Sequence, residues 1–130
     1  GHNYGLYWME QREPAIDGST NWKIHTIDKK FSQPHTMAWA DMDGDGKPEL
    51  ITGKRVKAHS GKDPGGLEDP VVLIYSWNPE TLQFSKNEIH RGEAGVGLQV
   101  HIADLNADGR PDIVAAGKSG THILWNEGVR

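Results

Sequence analysis

Apolar residues in this chain come in short runs, each bounded by glycine, proline or aspartate. Val71–Tyr75 and Ile113–Ala116 are four or five residues long, and both end in turn-forming sequence. Runs of that length and composition read as β-strands, whereas a helix would need apolar positions recurring every three to four residues over a longer window. Few windows carry that helical period, and with 16 Gly and 7 Pro in 130 residues nearly every one is interrupted. Three short runs end at a tryptophan: Leu6-Tyr7-Trp8, Ile74-Tyr75-Ser76-Trp77 and Ile123-Leu124-Trp125. Two others alternate in polarity, Trp22–Ile27 and Phe84–Ile89. The pattern predicts an all-β chain.

The runs recur in a fixed order because the chain contains an internal repeat. Asp41-Met42-Asp43-Gly44-Asp45-Gly46-Lys47-Pro48-Glu49-Leu50-Ile51 returns 63 positions later as Asp104-Leu105-Asn106-Ala107-Asp108-Gly109-Arg110-Pro111-Asp112-Ile113-Val114. Only Gly44/Ala107 changes chemical type. The unit reads strand, acidic loop, strand, tryptophan strand, polar-alternating strand. Residues 34–90 hold one complete unit, 1–28 the end of a preceding one and 97–127 the start of a following one. Four short strands per unit at this period predict β-propeller blades, each a four-stranded antiparallel sheet, about two of them in all; a sandwich is the alternative. Propellers have about 4–8 blades. The chain is therefore expected to be part of a longer propeller or to close by self-association.

The acidic residues concentrate in the repeated loops. Oxygens at alternate positions of a tight loop converge on a point, and a hard cation such as calcium takes 6–8 of them. Asp41, Asp43 and Asp45 supply positions one, three and five, the Lys47 carbonyl position seven and Glu49 position nine. Gly46 permits the sharp turn. Asp104, Asn106, Asp108, the Arg110 carbonyl and Asp112 repeat the set around Gly109. Two Ca2+ ions per chain would neutralise the formal charge of −4. An EF-hand is excluded, because Thr52 and Ala115 stand where its twelfth-position acid would be and strand formers follow where a helix should. Magnesium rarely takes a dedicated protein cage. A metal-free hairpin turn rich in Asp and Gly is the plainer reading of either loop alone.

At these residues the chain resembles the FG-GAP or VCBS repeat family of integrin-like propellers, whose signature is an Asp-x-Asp-x-Asp-Gly-x-x-Asp-Leu/Ile loop between two strands. Residues 41–51 and 104–114 match it, with Glu49 and Asn106 as conservative departures. The resemblance implies calcium-stabilised blades and a binding scaffold for carbohydrate or a protein partner. It also extends to propeller enzymes similar to aldos-2-ulose dehydratase, which act on sugar derivatives. Fold alone does not choose between these.

Two features offer places for an activity. The connection 53–70 exceeds its counterpart in the second unit by about fourteen residues, and long loops are often functional. It carries Lys54, Arg55, Lys57, His59, Lys62 and Asp63. Arg55, Lys57, His59, Lys62 and Asp63 are its candidate ligand-binding residues, since such cations grip carboxylate or phosphate; a solvated surface loop is the rival. Histidines are the second feature. His35 and His101 fall near strand entrances, and His2 near the start. In the enzymatic reading, a lyase or dehydratase, His35, His59 or His101 takes a proton while Arg55 or Lys57 steadies the developing oxyanion. A structural segment with no ligand of its own is a third reading. Trp8, Trp77 and Trp125 are read as packing residues, with stacking on sugars as the rival. Gly92–Gly97 lacks the Lys-Ser/Thr of a phosphate loop.

Other classes fall away. An acidic chain without a basic stripe is a poor nucleic-acid ligand. No apolar run approaches the ~18 residues of a membrane span, and with no Cys there is neither a disulfide nor a thiolate site. Millimolar calcium outside the cytosol favours an extracellular or periplasmic location.

Overall fold

The computed structural model describes residues 2–128. Among these residues, nine strands form three antiparallel sheets. β1 (Tyr4–Arg12) pairs with β2 (Asn21–Ser32); β3 (Met37–Ala40), β4 (Glu49–Lys54), β5 (Val71–Asn78) and β6 (Gln83–Arg91) follow one another in a second sheet; β7 (Gln99–Ala103), β8 (Asp112–Gly117) and β9 (Gly120–Leu124) make the third. Every neighbour in a sheet is also a neighbour in sequence, so each connection is a simple hairpin. The all-β reading and the antiparallel order thus hold. The first sheet has the tryptophan strand and the polar-alternating strand, and the third has the strands on either side of the acidic loop plus the tryptophan strand.

Strand periodicity explains how the sheets stack. Successive side chains on a strand point to opposite faces. Leu50, Val71, Leu73 and Tyr75 turn one way and pack with Leu6 and Phe31 of the first sheet. Ile51 and Val72 turn the other way and pack with Ile113 and Ala115 of the third, together with Ala94 and Val96. The middle sheet is therefore covered on both faces, and all six residues of β4 are buried. Side chains of this size contribute about 1.5–3 kcal/mol each when fully buried. The Gly92–Gly97 stretch serves this packing: Val96 is wholly buried, and a Cβ on Gly95 would lie 2.5 Å from the Lys54 carbonyl oxygen.

Polar contacts stitch the layers together. Asp28 on β2 accepts hydrogen bonds from Tyr75 Oη at 2.8 Å, Lys86 Nζ at 2.8 Å and the Lys30 N–H at 2.6 Å. Burial acts to raise the Asp28 pKa, yet these donors together hold it below its ordinary value. Burial and the same carboxylate push the Tyr75 phenol far up. Asn126, just past β9, donates from Nδ2 to the Met42 carbonyl in the loop after β3 at 2.7 Å, and the Gly97 N–H in the lead into β7 donates to the Ala116 carbonyl of β8 at 2.9 Å. The edge strands β3 and β7 lie side by side.

The long connection is not a free loop. Lys54 is wholly buried; its ammonium donates to the Gly65 carbonyl and reaches Glu68 Oε2 at 3.3 Å. The hydroxyl of Tyr4 donates to Glu68, and the Lys57 N–H donates to the Gly66 carbonyl at 2.9 Å. Ala58 is fully buried within a tight turn over Ala58–Gly61. The connection is thereby fastened to the first sheet.

Candidate functional site

β3 and β4 separate two groups of polar side chains. The acidic loops lie at one end of their sheets, joining β3 to β4 and β7 to β8. The connection 55–70 and the segment before β3 lie at the opposite end, because Met37 pairs with Thr52 and Lys54 with Val71.

Both acidic loops are held by one hydrogen-bond frame. The first aspartate caps the turn: Asp41 Oδ2 accepts from the Gly46 N–H at 2.9 Å, and Asp104 Oδ2 from the Gly109 N–H at 2.9 Å. Position three accepts from the N–H of position five, at 3.1 Å for both Asp43 and Asn106. Position five accepts from the N–H of position seven, at 2.7 Å for Asp45 and 2.9 Å for Asp108. Position nine reaches back to position two, Glu49 Oε2 accepting from the Met42 N–H at 2.9 Å and Asp112 Oδ2 from the Leu105 N–H at 3.0 Å. Gly46 and Gly109 have φ of 84° and 86°, the left-handed region where a Cβ is costly. Asp108 is held below its ordinary pKa by the Arg110 N–H and by Asn106.

The donor chemistry suits a hard cation. Asp41, Asp43 and Glu49 bring oxygens within 4.8 Å of one another. An ionised carboxylate offers about four lone-pair sites, so an oxygen bonded to one N–H keeps capacity for a metal. If calcium binds, the carboxylates of Asp41, Asp43, Asp45 and Glu49 with the Lys47 carbonyl would hold it in the first loop. In the second, Asp104, Asn106, Asp108 and Asp112 with the Arg110 carbonyl would do so. The Arg110 side chain donates to Asp108, itself a member of that set, at 2.6 Å and to the Asn126 carbonyl at 2.8 Å.

Beside the first loop lies a cavity of about 320 Å³ lined by Trp39, Trp77, Pro48, Asp43, Asp45 and Lys47. Trp77 packs edge-on to Trp8 at 5.1 Å and tilted on Phe84 at 4.7 Å. Trp39 is half exposed. Two of the repeated tryptophans, Trp8 and Trp77, thus contribute to packing, while Trp125 is 53% exposed. Trp39, outside the tryptophan repeat, was not singled out by the sequence, although it stands next to the acidic loop.

At the opposite end, three histidines and an aspartate from distant segments meet. His2 Nδ1 lies 3.0 Å from Asp63 Oδ2, and His59 Nδ1 lies 4.0 Å from the same oxygen. The His35 ring stands 5.8 Å from His2 and 6.0 Å from His59, centre to centre. Burial, with help from the neighbouring Arg55, His2 and His59, holds His35 below its ordinary pKa, which favours the neutral imidazole. Lys57 and Lys62 are exposed, and the Lys57 carbonyl accepts from Lys118 Nζ at 2.8 Å. Of the histidines weighed for chemistry, His35 and His59 come together, whereas His101 sits exposed on β7 opposite Val114, outside the cluster.

No protein-family model, curated protein or solved structure matches this chain.

Proposed function

We propose that the chain is a calcium-stabilised β-propeller segment of the FG-GAP/VCBS type that serves as a binding scaffold for carbohydrate. One observation carries the reading: two loops 63 residues apart close their nine-position oxygen sets with the same four backbone hydrogen bonds. Calcium in these loops would fix the turn between paired strands and brace the rim of the Trp39–Trp77 cavity. There an aromatic face lies beside carboxylates able to accept from sugar hydroxyls. The pairing of an apolar wall with a few placed polar groups is the usual composition of a small-ligand site.

The outer sheets support the propeller part of the reading. On the first sheet Met9 pairs with Ile24, and both are more than 60% exposed. A neighbouring blade, or another copy of the chain, would cover such a face. Light scattering in calcium buffer distinguishes the two: a stable oligomer means closure between copies, and a monomer means that the remaining blades lie elsewhere in a longer protein.

Calcium titration calorimetry followed by glycan binding tests the function. The expected result is about two ions per chain and a glycan response weakened by Trp39→Ala. No calcium uptake overturns the proposal. The enzymatic alternative is favoured by the convergence of His35 and His59 on one corner. New ultraviolet absorbance from keto-sugars or uronic acids, lost in His35→Ala and His59→Ala, supports it. Absence of turnover excludes it for those substrates.

A further inference from the structure

We infer that His2, His59 and Asp63, with His35 as the fourth donor, form a binding site for a zinc-like divalent ion, chemically distinct from the acidic loops. The inference does not depend on the calcium reading, since it concerns a nitrogen-rich set at the other end of the sheets.

The geometry is close to what such an ion requires. Zinc binds imidazole nitrogen and carboxylate oxygen at about 2.0–2.2 Å in a tetrahedron, which places donor atoms about 3.3 Å apart. Asp63 Oδ2 stands 3.0 Å from His2 Nδ1 and 4.0 Å from His59 Nδ1. Ligand atoms of all three residues lie within 4.8 Å of one another. Imidazole rings around one zinc have centres about 5 Å apart by the same bond lengths. The three pairs here are 4.1, 5.8 and 6.0 Å, so small side-chain rotations complete the shell. Softer nitrogen donors select zinc-like ions over calcium, which prefers oxygen.

Two further observations point to a ligand. His35 Nε2 is buried and has no hydrogen-bond partner among the described residues; a buried polar atom left so is costly unless something unseen satisfies it. The backbone that presents His59 is also held in a costly form. Lys57, His59 and Ser60 have φ of 50°, 48° and 59°, in a left-handed region costing about 1–2 kcal/mol per non-glycine residue. Such conformations persist where surrounding structure enforces them, and they gather at ligand sites. The enforcing contacts are the buried Ala58 and the bond between Lys57 and Gly66. An ion here would join three segments: the lead into β1, the lead into β3 and the long connection. Arg55 beside His35 opposes a cation, so the affinity expected is micromolar and not tighter.

The test is zinc titration calorimetry on the full chain in millimolar calcium, which keeps the acidic loops filled and separates this site from them. One zinc per chain is expected, with tetrahedral visible bands when cobalt replaces it. His59→Ala and Asp63→Ala should each weaken zinc binding by tenfold or more, while Asp41→Asn leaves it unchanged. In the unsubstituted chain, histidine ring signals in NMR should shift for His2, His35 and His59 but not His101, a readout independent of variant folding. Absence of zinc binding overturns the inference. So does binding that calcium displaces, or binding that persists in the His2→Ala/His59→Ala double variant.

Discussion

In the first acidic loop three carboxylates, Asp41, Asp43 and Glu49, bring oxygens within 4.8 Å of one another; no such trio forms in the second loop among the described residues. Four frame hydrogen bonds are common to both loops, so most of the difference lies in the side chains. Asn106 replaces a carboxylate at position three and donates to Asp108 at 2.9 Å, and the Arg110 guanidinium pairs with Asp108 at 2.6 Å. In the first loop Lys47 stays 3.6 Å from Asp45, and its side chain is 75% exposed. Position nine diverges too. Asp112 is wholly buried and accepts from Asn126 as well as Leu105, whereas the Glu49 carboxylate accepts from Met42 alone among the described residues. The first loop has spare negative charge facing a common point. The second has used much of its charge on internal partners. On the proposed reading the second loop therefore holds its ion less tightly than the first.

Substitution at position nine should produce the largest contrast. Asp112→Ala removes the carboxylate that accepts from the Leu105 and Asn126 N–H groups, a loss of about 3 kcal/mol for two hydrogen bonds to a charged acceptor, and urea denaturation should show most of it even in EDTA. Glu49→Ala should cost about half as much in EDTA and more when calcium is present. Equal, calcium-independent losses in both would erase the distinction. Next in size is calcium itself. At a hundred times its dissociation constant a ligand stabilises by about 2.7 kcal/mol, so a thermal scan should move by about 10 °C on chelation. Asp43→Asn should remove more of that shift than Asn106→Asp adds.

Asn106→Asp makes the second loop resemble the first, and calorimetry should find calcium affinity there raised about tenfold, equivalent to about 1.4 kcal/mol. Unchanged affinity would mean that Arg110, not the amide, sets the difference. At position four both loops adopt positive φ, 79° at Gly44 and 60° at Ala107. Ala107→Gly should thus stabilise by about 0.5–1 kcal/mol, and Gly44→Ala should destabilise by about as much. Arg110→Ala should cost least, under about 1 kcal/mol, because the pair with Asp108 is partly exposed.

Much of this was legible in the sequence because the repeat shows each element twice. The strands around residues 41–51 and 104–114, the turn glycines and the oxygen positions all follow from local spacing, and local spacing is what a sequence displays. The histidine corner was legible only in pieces. His35 and His59 stand out as candidates, but their meeting with His2 depends on how the lead into β1 returns over the long connection. The fastening of that connection was not legible either. It depends on Lys54, an ordinary surface residue by type, whose ammonium is buried only because Gly65 and Glu68 fold back to receive it. The aromatic cavity was hidden for a similar reason: Trp39 and Trp77 come from strands at opposite sides of β4.

The two-sided cover of the middle sheet has a kinetic consequence. β4 has neighbours hydrogen-bonded along both edges and sheets packed on both faces, so its amides reach solvent only after an outer layer has come away. Native-state hydrogen exchange should find the β4 and β5 amides among the slowest in the chain, with β1, β2 and β9 opening earlier. The molecule would then shed its layers from outside inward, and the strand that emerges from the first acidic loop would be the last to let go.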